Sequence, residues 1–149
     1  MGLPGSGKTW LGSRIAKYFN IPFWDADVVR ETYNDWDFSD SGRERQCLRM
    51  KKLAEIDPIS ISAFIAPWPG YRTFFFPDKM IWMNTIQISK YEDTNKKFIK
   101  PEDNEYNLRI DQWIEENQLY KCLEGINPGT MDTQSFLKEL IQRLAKLQS

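Results

Sequence analysis

Histidine is absent from this chain of 149 residues. No imidazole can serve as general base or proton shuttle, so acid–base work falls to carboxylates or lysine. Cysteine is nearly absent. Cys47 and Cys122 stand far apart, each in a helix-like apolar pattern, which excludes a disulfide framework and points to reduced core thiols in a cytoplasmic protein. An excess of one charge is also missing. The net charge is −1, with Lys, Arg, Asp and Glu spread evenly, which argues against long nucleic acids or a membrane surface as partners. No run is apolar enough to cross a bilayer, and no signal peptide is visible. Internal repeats and low-complexity tracts are lacking. The length suits one domain, 1–149, with a single core.

What is present begins at once. Gly2-Leu3-Pro4-Gly5-Ser6-Gly7-Lys8-Thr9 has the form G-x-x-x-x-G-K-S/T. The glycines let successive backbone N–H groups converge on a polyphosphate, and the following helix adds its positive dipole end. Lys8 then reaches the outer phosphates, and Thr9 places a hydroxyl on Mg²⁺. The pattern predicts binding of ATP or GTP by Gly2, Pro4, Gly5, Ser6, Gly7, Lys8 and Thr9. Such a loop normally follows a buried strand, yet only Met1 precedes Gly2. We expect either a start placed too late, a fold that tolerates the loss, or a neighbouring strand. An extension of roughly 5–8 apolar residues, about one strand length, is then expected to raise stability.

Helical and strand-like patterns alternate along the chain. Leu11, Ile15 and Tyr18 predict a helix from Thr9 to Phe19, stopped by Asn20 and Pro22. A short strand follows at Ile21–Trp24, then a helix from about Asp40 to Glu55 with Cys47, Leu48, Met50, Leu53 and Ala54 on one side. Ile59–Ile65 and Met80–Met83 read as strands. Phe136, Leu137, Leu140, Ile141, Leu144 and Leu147 predict an amphipathic helix from Asp132 to Leu147. Residues 87–107 are polar and aperiodic and read as a loop or lid; 108–149 carries no recognisable chemistry. This order predicts an α/β fold, a three-layer α/β/α arrangement of the P-loop NTPase type with a mostly parallel sheet, its first strand apparently missing from this chain.

Ligands of such sheets gather at the carboxyl ends of the strands. That rim would carry Asp25, Asp27, Ala66 and Asn84 beside the phosphate loop. Two carboxylates next to a triphosphate can hold Mg²⁺ and orient an acceptor hydroxyl, although one of them can equally be a helix N-cap. Lys8, Asp25 and Asp27 are the candidate catalytic residues, with Thr9 and Asp27 as metal ligands. Arg30, one turn on, can fork onto an anionic acceptor.

Three further stretches are specific. Asp25-Ala26-Asp27-Val28-Val29-Arg30, then Phe38-Ser39-Asp40 with Arg43, then Ser62-Ala63-Phe64-Ile65-Ala66-Pro67-Trp68 with Arg72 follow the phosphate loop in that order. The chain resembles the adenylylsulfate kinases, which carry D-G-D-N-V-R, F-S-x-x-D-R-x-x-N and S-A-F-I-S-P-Y; the likeness runs from Gly2 to Arg72 and continues weakly to about Asp103. The resemblance implies transfer of the γ-phosphoryl of MgATP to the 3′-hydroxyl of adenosine 5′-phosphosulfate, giving the 3′-phosphorylated product used in sulfate activation. It implies that Asp27 lies near that hydroxyl and that Arg30 and Arg43 grip the phosphosulfate. Phe38 and the lid's Phe98 would clamp the adenine, with Gln46, Ile65 and Ala66 completing the substrate site. Lys96, Lys97 and Lys100 would reach phosphates from a closed lid, or else form a solvated basic turn. Members of that family are often dimeric, which carries over as an expected homodimer.

The chain departs from the family pattern at several places. The middle glycine is Ala26, the Asp before the substrate arginine is Gly42, the following Asn is Gln46, the Ser of S-P-Y is Ala66, and a usual arginine is Pro69. Two other readings stay open. One is a kinase with another acceptor, such as a polynucleotide 5′-hydroxyl; the other is a non-catalytic nucleotide-binding module.

Overall fold

Local signals set the helices. In the computed structural model, which describes residues 1–149, α1 spans Lys8–Phe19 and buries Leu11, Ile15 and Ala16. Asn20 ends it in the left-handed conformation, and the Ile21 N–H returns to the Ala16 carbonyl at 2.9 Å. β1 is Phe23–Asp25, and α2 is Ala26–Tyr33. Asp25 belongs to both, since its carboxylate caps α2 by accepting from the Asp27 N–H at 2.9 Å. α3 is Asp40–Ala54, capped by Ser39, whose hydroxyl accepts from Gly42 N–H at 3.2 Å.

The buried stripe of α3 differs from the one expected. It runs Gly42, Arg43, Gln46, Cys47, Met50, while Leu48 faces solvent. Two polar residues lead it because this part of the helix faces a cavity rather than a core. β2 (Ile61–Ala63) and α4 (Pro69–Phe75) follow. Between them Ala66, though not glycine, has φ +47°. Such a residue costs about 1–2 kcal/mol relative to ordinary backbone. Its carbonyl accepts from Arg72 Nε at 2.9 Å, and that of Pro67 from Arg72 Nη2 at 3.2 Å, so the guanidinium holds the turn in place.

β3 is Ile81–Met83, α5 Glu92–Lys97, β4 Leu108–Ile110, α6 Glu116–Leu123 and α7 Thr133–Lys146. The presence of α5 corrects the reading of 87–107 as irregular throughout. It is a polar helix supported by the spaced ion pairs Lys96–Glu92 and Lys97–Asp93. α7 begins at the Asp132 cap and buries Phe136, Leu140 and Leu144. Each such side chain contributes about 1.5–3 kcal/mol when fully buried. No helix is long and apolar enough to cross a membrane.

The chain is α/β, and all its strand pairs are parallel, but they form two ladders rather than one sheet. β1 pairs with β2 (Phe23 opposite Ile61, Asp25 opposite Ala63). β3 pairs with β4 (Ile81 opposite Leu108, Met83 opposite Ile110). Met1 lies along the edge of β3 that β4 does not use. Its amine donates to the Ile81 carbonyl and its carbonyl accepts from Met83 N–H, each at 2.8 Å. Between β2 and β3 is a cavity of about 370 Å³, lined mainly by apolar side chains including Leu11, Ile15, Ile61, Met83 and Leu140. One apolar cluster nevertheless links both sides: Leu11 and Ile15 of α1 pack with Met83, Ile110, Leu119, Leu123 and the buried face of α7.

Candidate functional site

The loop between Met1 and α1 bends because Gly5 and Gly7 adopt φ +83° and +97°, values that glycine alone reaches without strain. Gly7 has a second constraint. A Cβ there would meet Cζ3 of Trp113 at 2.6 Å, so the indole rests directly on the loop. The Thr85 hydroxyl donates to Ser6 O at 2.7 Å, fastening the loop to the strand side of the molecule. Lys8 Nζ donates to Leu3 O at 2.8 Å, folding back across the loop. Burial pushes its ammonium down to about 8, against the opposing pull of Asp27 and Asp25.

Beside the loop the Thr9 hydroxyl donates to Asp25 Oδ2. Thr9, expected to ligate a metal together with Asp27, is hydrogen-bonded here to Asp25. Asp25 is engaged twice, as helix cap and as partner of Thr9. The Asp27 carboxylate, an exposed group on the cavity wall, accepts no hydrogen bond within the chain. No cluster of three carboxylate or thiol groups could hold a metal unaided. The donors present, a hydroxyl and one or two carboxylates, suit Mg²⁺, which keeps waters and takes phosphate oxygens as its remaining ligands.

A cavity of about 1000 Å³ opens from this corner. Pro4, Gly5, Gly7, Lys8, Thr9, Asp25 and Asp27 line it together with Arg30, Phe38, Arg43, Gln46, Ile65 and Ala66. Gly2 and Ser6 lie behind the loop, both buried, where Gly2 packs against Met83 so closely that a Cβ would sit 2.6 Å from its carbonyl oxygen.

Arg30 and Arg43 are 4% and 5% exposed. Arg30 Nη1 donates to the Asp35 and Asp37 carbonyls at 3.0 and 3.1 Å, and burial lowers its pKa. Arg43 Nε donates to Phe38 O at 3.0 Å and Nη2 to Thr94 Oγ1 at 3.2 Å. Both guanidinium groups lie over the Phe38 ring, at 4.3 and 5.5 Å from its centroid. Arg30 keeps Nε and Nη2 free, and Arg43 keeps Nη1. The carbonyls that hold them are braced from outside: Arg45 and Arg49 bind Asp35 at 3.2 and 2.7 Å, and Arg45 binds Asp37 at 2.8 Å. Those arginines hold the Asp35 carboxyl well below the usual carboxylate range. Gln46 Nε2 donates to Ala26 O at 2.8 Å, while its Oε1 is buried without a partner.

This bracing explains one departure from the adenylylsulfate kinase pattern. A Cβ at Gly42 would fall 2.1 Å from the Asp37 carbonyl oxygen. The Asp35–Phe38 turn has taken the space an aspartate would need.

Not every expected residue reaches the cavity. Phe98 caps the end of α5, its ring 5.7 Å from the Arg72 guanidinium carbon, and it does not line the cavity. The clamp with Phe38 is not formed, because Arg72 holds the Ile99 carbonyl and Pro67 O accepts from Ile99 N–H at 2.8 Å. Lys97 pairs with Asp40 at 2.9 Å, Lys100 donates to Gln87 at 2.9 Å, and Lys96 stays on Glu92. Asn84 turns away and donates to Asp111 at 2.7 Å. The first half of the lid does line the cavity, through Ile88, Ser89, Lys90, Tyr91, Asp93 and Thr94. Trp10, Cys47 and Tyr71 also line it; each sits in an ordinary helical pattern that carries no sequence signal for a site.

In comparison with known proteins, no family model matches the chain and no curated protein matches it.

Proposed function

We propose that this chain is a phosphotransferase that moves the γ-phosphoryl of ATP to the 3′-hydroxyl of adenosine 5′-phosphosulfate. The observation that carries the reading is the single cavity in which the glycine-rich loop, two carboxylates, two buried arginines and Phe38 meet. On this reading the two ladders are halves of one mostly parallel sheet in a three-layer P-loop fold, with the loop at its carboxyl edge. The buried Cys47 thiol, pushed up to about 11 by desolvation, fits a reducing cytoplasmic setting.

The chemistry is a transfer between two oxygens. A bond forms from the acceptor hydroxyl oxygen to the γ-phosphorus, the bond from that phosphorus to the β–γ bridging oxygen breaks, ADP leaves, and the hydroxyl proton is released. The loop amides and Lys8 hold the phosphates and offset charge on their oxygens. Thr9 and Asp25 would hold Mg²⁺, which supplies further charge neutralisation when bound. Asp27, unpartnered on the cavity wall, orients the acceptor hydroxyl and takes its proton late, so no strong base is required. Arg30 and Arg43 offer their free N–H groups to the phosphosulfate. Phe38 gives the adenine a ring face, and the orphan Gln46 Oε1 accepts from a donor on the acceptor.

The test is Mg²⁺-dependent ATP consumption with adenosine 5′-phosphosulfate, a 5′-hydroxyl oligonucleotide and no acceptor. Turnover with the phosphosulfate alone is expected. Turnover with the oligonucleotide would replace the acceptor. Turnover with neither, while ATP binds, would leave a non-catalytic module or an acceptor of another class.

A further inference from the structure

Trp113 follows β4 and is 55% exposed, yet the residues that flank it are tightly fixed. The N–H groups of Asp111 and Gln112 both donate to Gln148 Oε1, at 2.8 and 3.0 Å, and Gln148 Nε2 returns to Gln112 O at 3.1 Å. The next residue, Ile114, is buried in the core cluster. One part of the indole rests on the phosphate loop, where a Cβ at Gly7 would lie 2.6 Å from Cζ3 and 3.0 Å from Cη2. Packing accounts for that contact and not for the remainder of the ring, which is open.

A second indole near the loop, Trp10, has one face taken and turns toward the cavity already described. Trp10, three residues beyond Gly7, has the Arg14 guanidinium carbon 4.4 Å above its ring, and Arg14 is tied to Glu116 at 3.0 Å. Trp113 thus offers an uncovered aromatic surface against the loop, positioned by the fixed residues on either side of it rather than by its own burial. A ring so placed suits a flat, apolar partner attached to whatever the loop holds. Stacking on an aromatic side chain accepts any base, since every base has a π-face.

We infer that Trp113 is the platform on which the nucleoside base of the phosphate donor stacks. This rests on the reading of Gly2–Thr9 as the donor's phosphate site. Trp113 does not line the cavity that holds Arg30, Phe38 and Arg43, so donor base and acceptor are held by different aromatic residues.

The experiment compares binding of MgATP and of magnesium tripolyphosphate, which has the phosphates without the base. Both are titrated into the full chain, Trp113→Ala, Trp113→Phe and Lys8→Ala, with a thermal melt of each to show that it is folded. Trp113→Ala is expected to weaken ATP about tenfold or more and leave tripolyphosphate unchanged. Trp113→Phe keeps most of the ATP affinity, and Lys8→Ala weakens both ligands. Unchanged ATP binding by Trp113→Ala overturns the inference. So does equal weakening of both ligands, which would mean that the indole only shapes the loop through Gly7. Wild-type chain that binds neither ligand overturns the phosphate-site reading itself, and the platform with it.

Discussion

Lys8 offers the sharpest quantitative test, because its charge is set to change near neutral pH. Burial brings its ammonium down to about 8 from an ordinary 10.5. A polyphosphate bound in the loop would favour the charged form, so binding above that value must take up a proton. At pH 7 about nine-tenths of the free protein carries charged Lys8, and at pH 9 about one-tenth. Affinity for MgATP should therefore fall roughly tenfold between pH 7 and 9, with about half a proton taken up per ATP at pH 8. Isothermal titration in buffers of different ionisation enthalpy measures both. Lys8→Arg, which stays charged across the range, should show a flat profile. The sign for folding is the same as for a carboxylate with a depressed pKa, moved to an alkaline window. Between about 8 and 10.5 the unfolded chain holds more protons at this site, so the free protein gains stability as pH rises through that window. Equal ATP affinity at pH 7 and 9, with no proton uptake, would refute the assignment of Lys8 to the phosphates.

Other residues give independent tests. Asp27→Asn should bind ATP as the native chain does and lose about 10²- to 10⁴-fold in turnover, since its carboxylate makes no structural hydrogen bond; unchanged turnover in a steady-state assay would remove Asp27 from the mechanism. Gly42→Asp, which writes in the residue of the adenylylsulfate kinase pattern, should cost about 1–3 kcal/mol in urea unfolding and raise the acceptor KM, because the Asp37 carbonyl must move and it positions Arg30. Leu144→Ala, at a fully buried position of α7, should cost about 2–5 kcal/mol by the same unfolding assay without changing ATP affinity.

Much of the helical frame was legible locally. Asn20, Ser39 and Asp132 are capping residues, and they bound α1, α3 and α7 within a residue or two of the expected limits. The strands were shorter than their apolar runs. Ile59–Ile65 reads as seven residues, but only Ile61–Ala63 pair: β1 has three residues to offer, and the left-handed Ala66 and Pro67 turn the chain away. β4 has no distinct sequence signature, because the alternation of two buried side chains around an exposed Arg109 is only three residues long. α5 has no apolar face, so its ion pairs are its only signature. The candidate site is marked in the sequence by motifs at Gly2–Thr9, Asp25–Arg30 and Phe38–Arg43. What the motifs could not convey was tertiary: which aspartate meets Thr9, that Arg72 draws the Phe98 segment aside, and that Trp113 comes to rest on Gly7 from more than a hundred residues away.

The division of the strands into two ladders has a mechanical consequence. Helices α1, α2 and α3 pack on β1 and β2, with α4 against α3, whereas α7 packs on β4 and α6 against α7. The glycine-rich loop bridges the boundary: it leads into α1 on one side, while Gly2 and Ser6 are fastened to Met83 and Thr85 on the other. Amide exchange in the free protein should reveal two separately opening units, as sub-global unfolding commonly does. A polyphosphate on the loop would then act as a weld, and the two protection levels should converge when it binds.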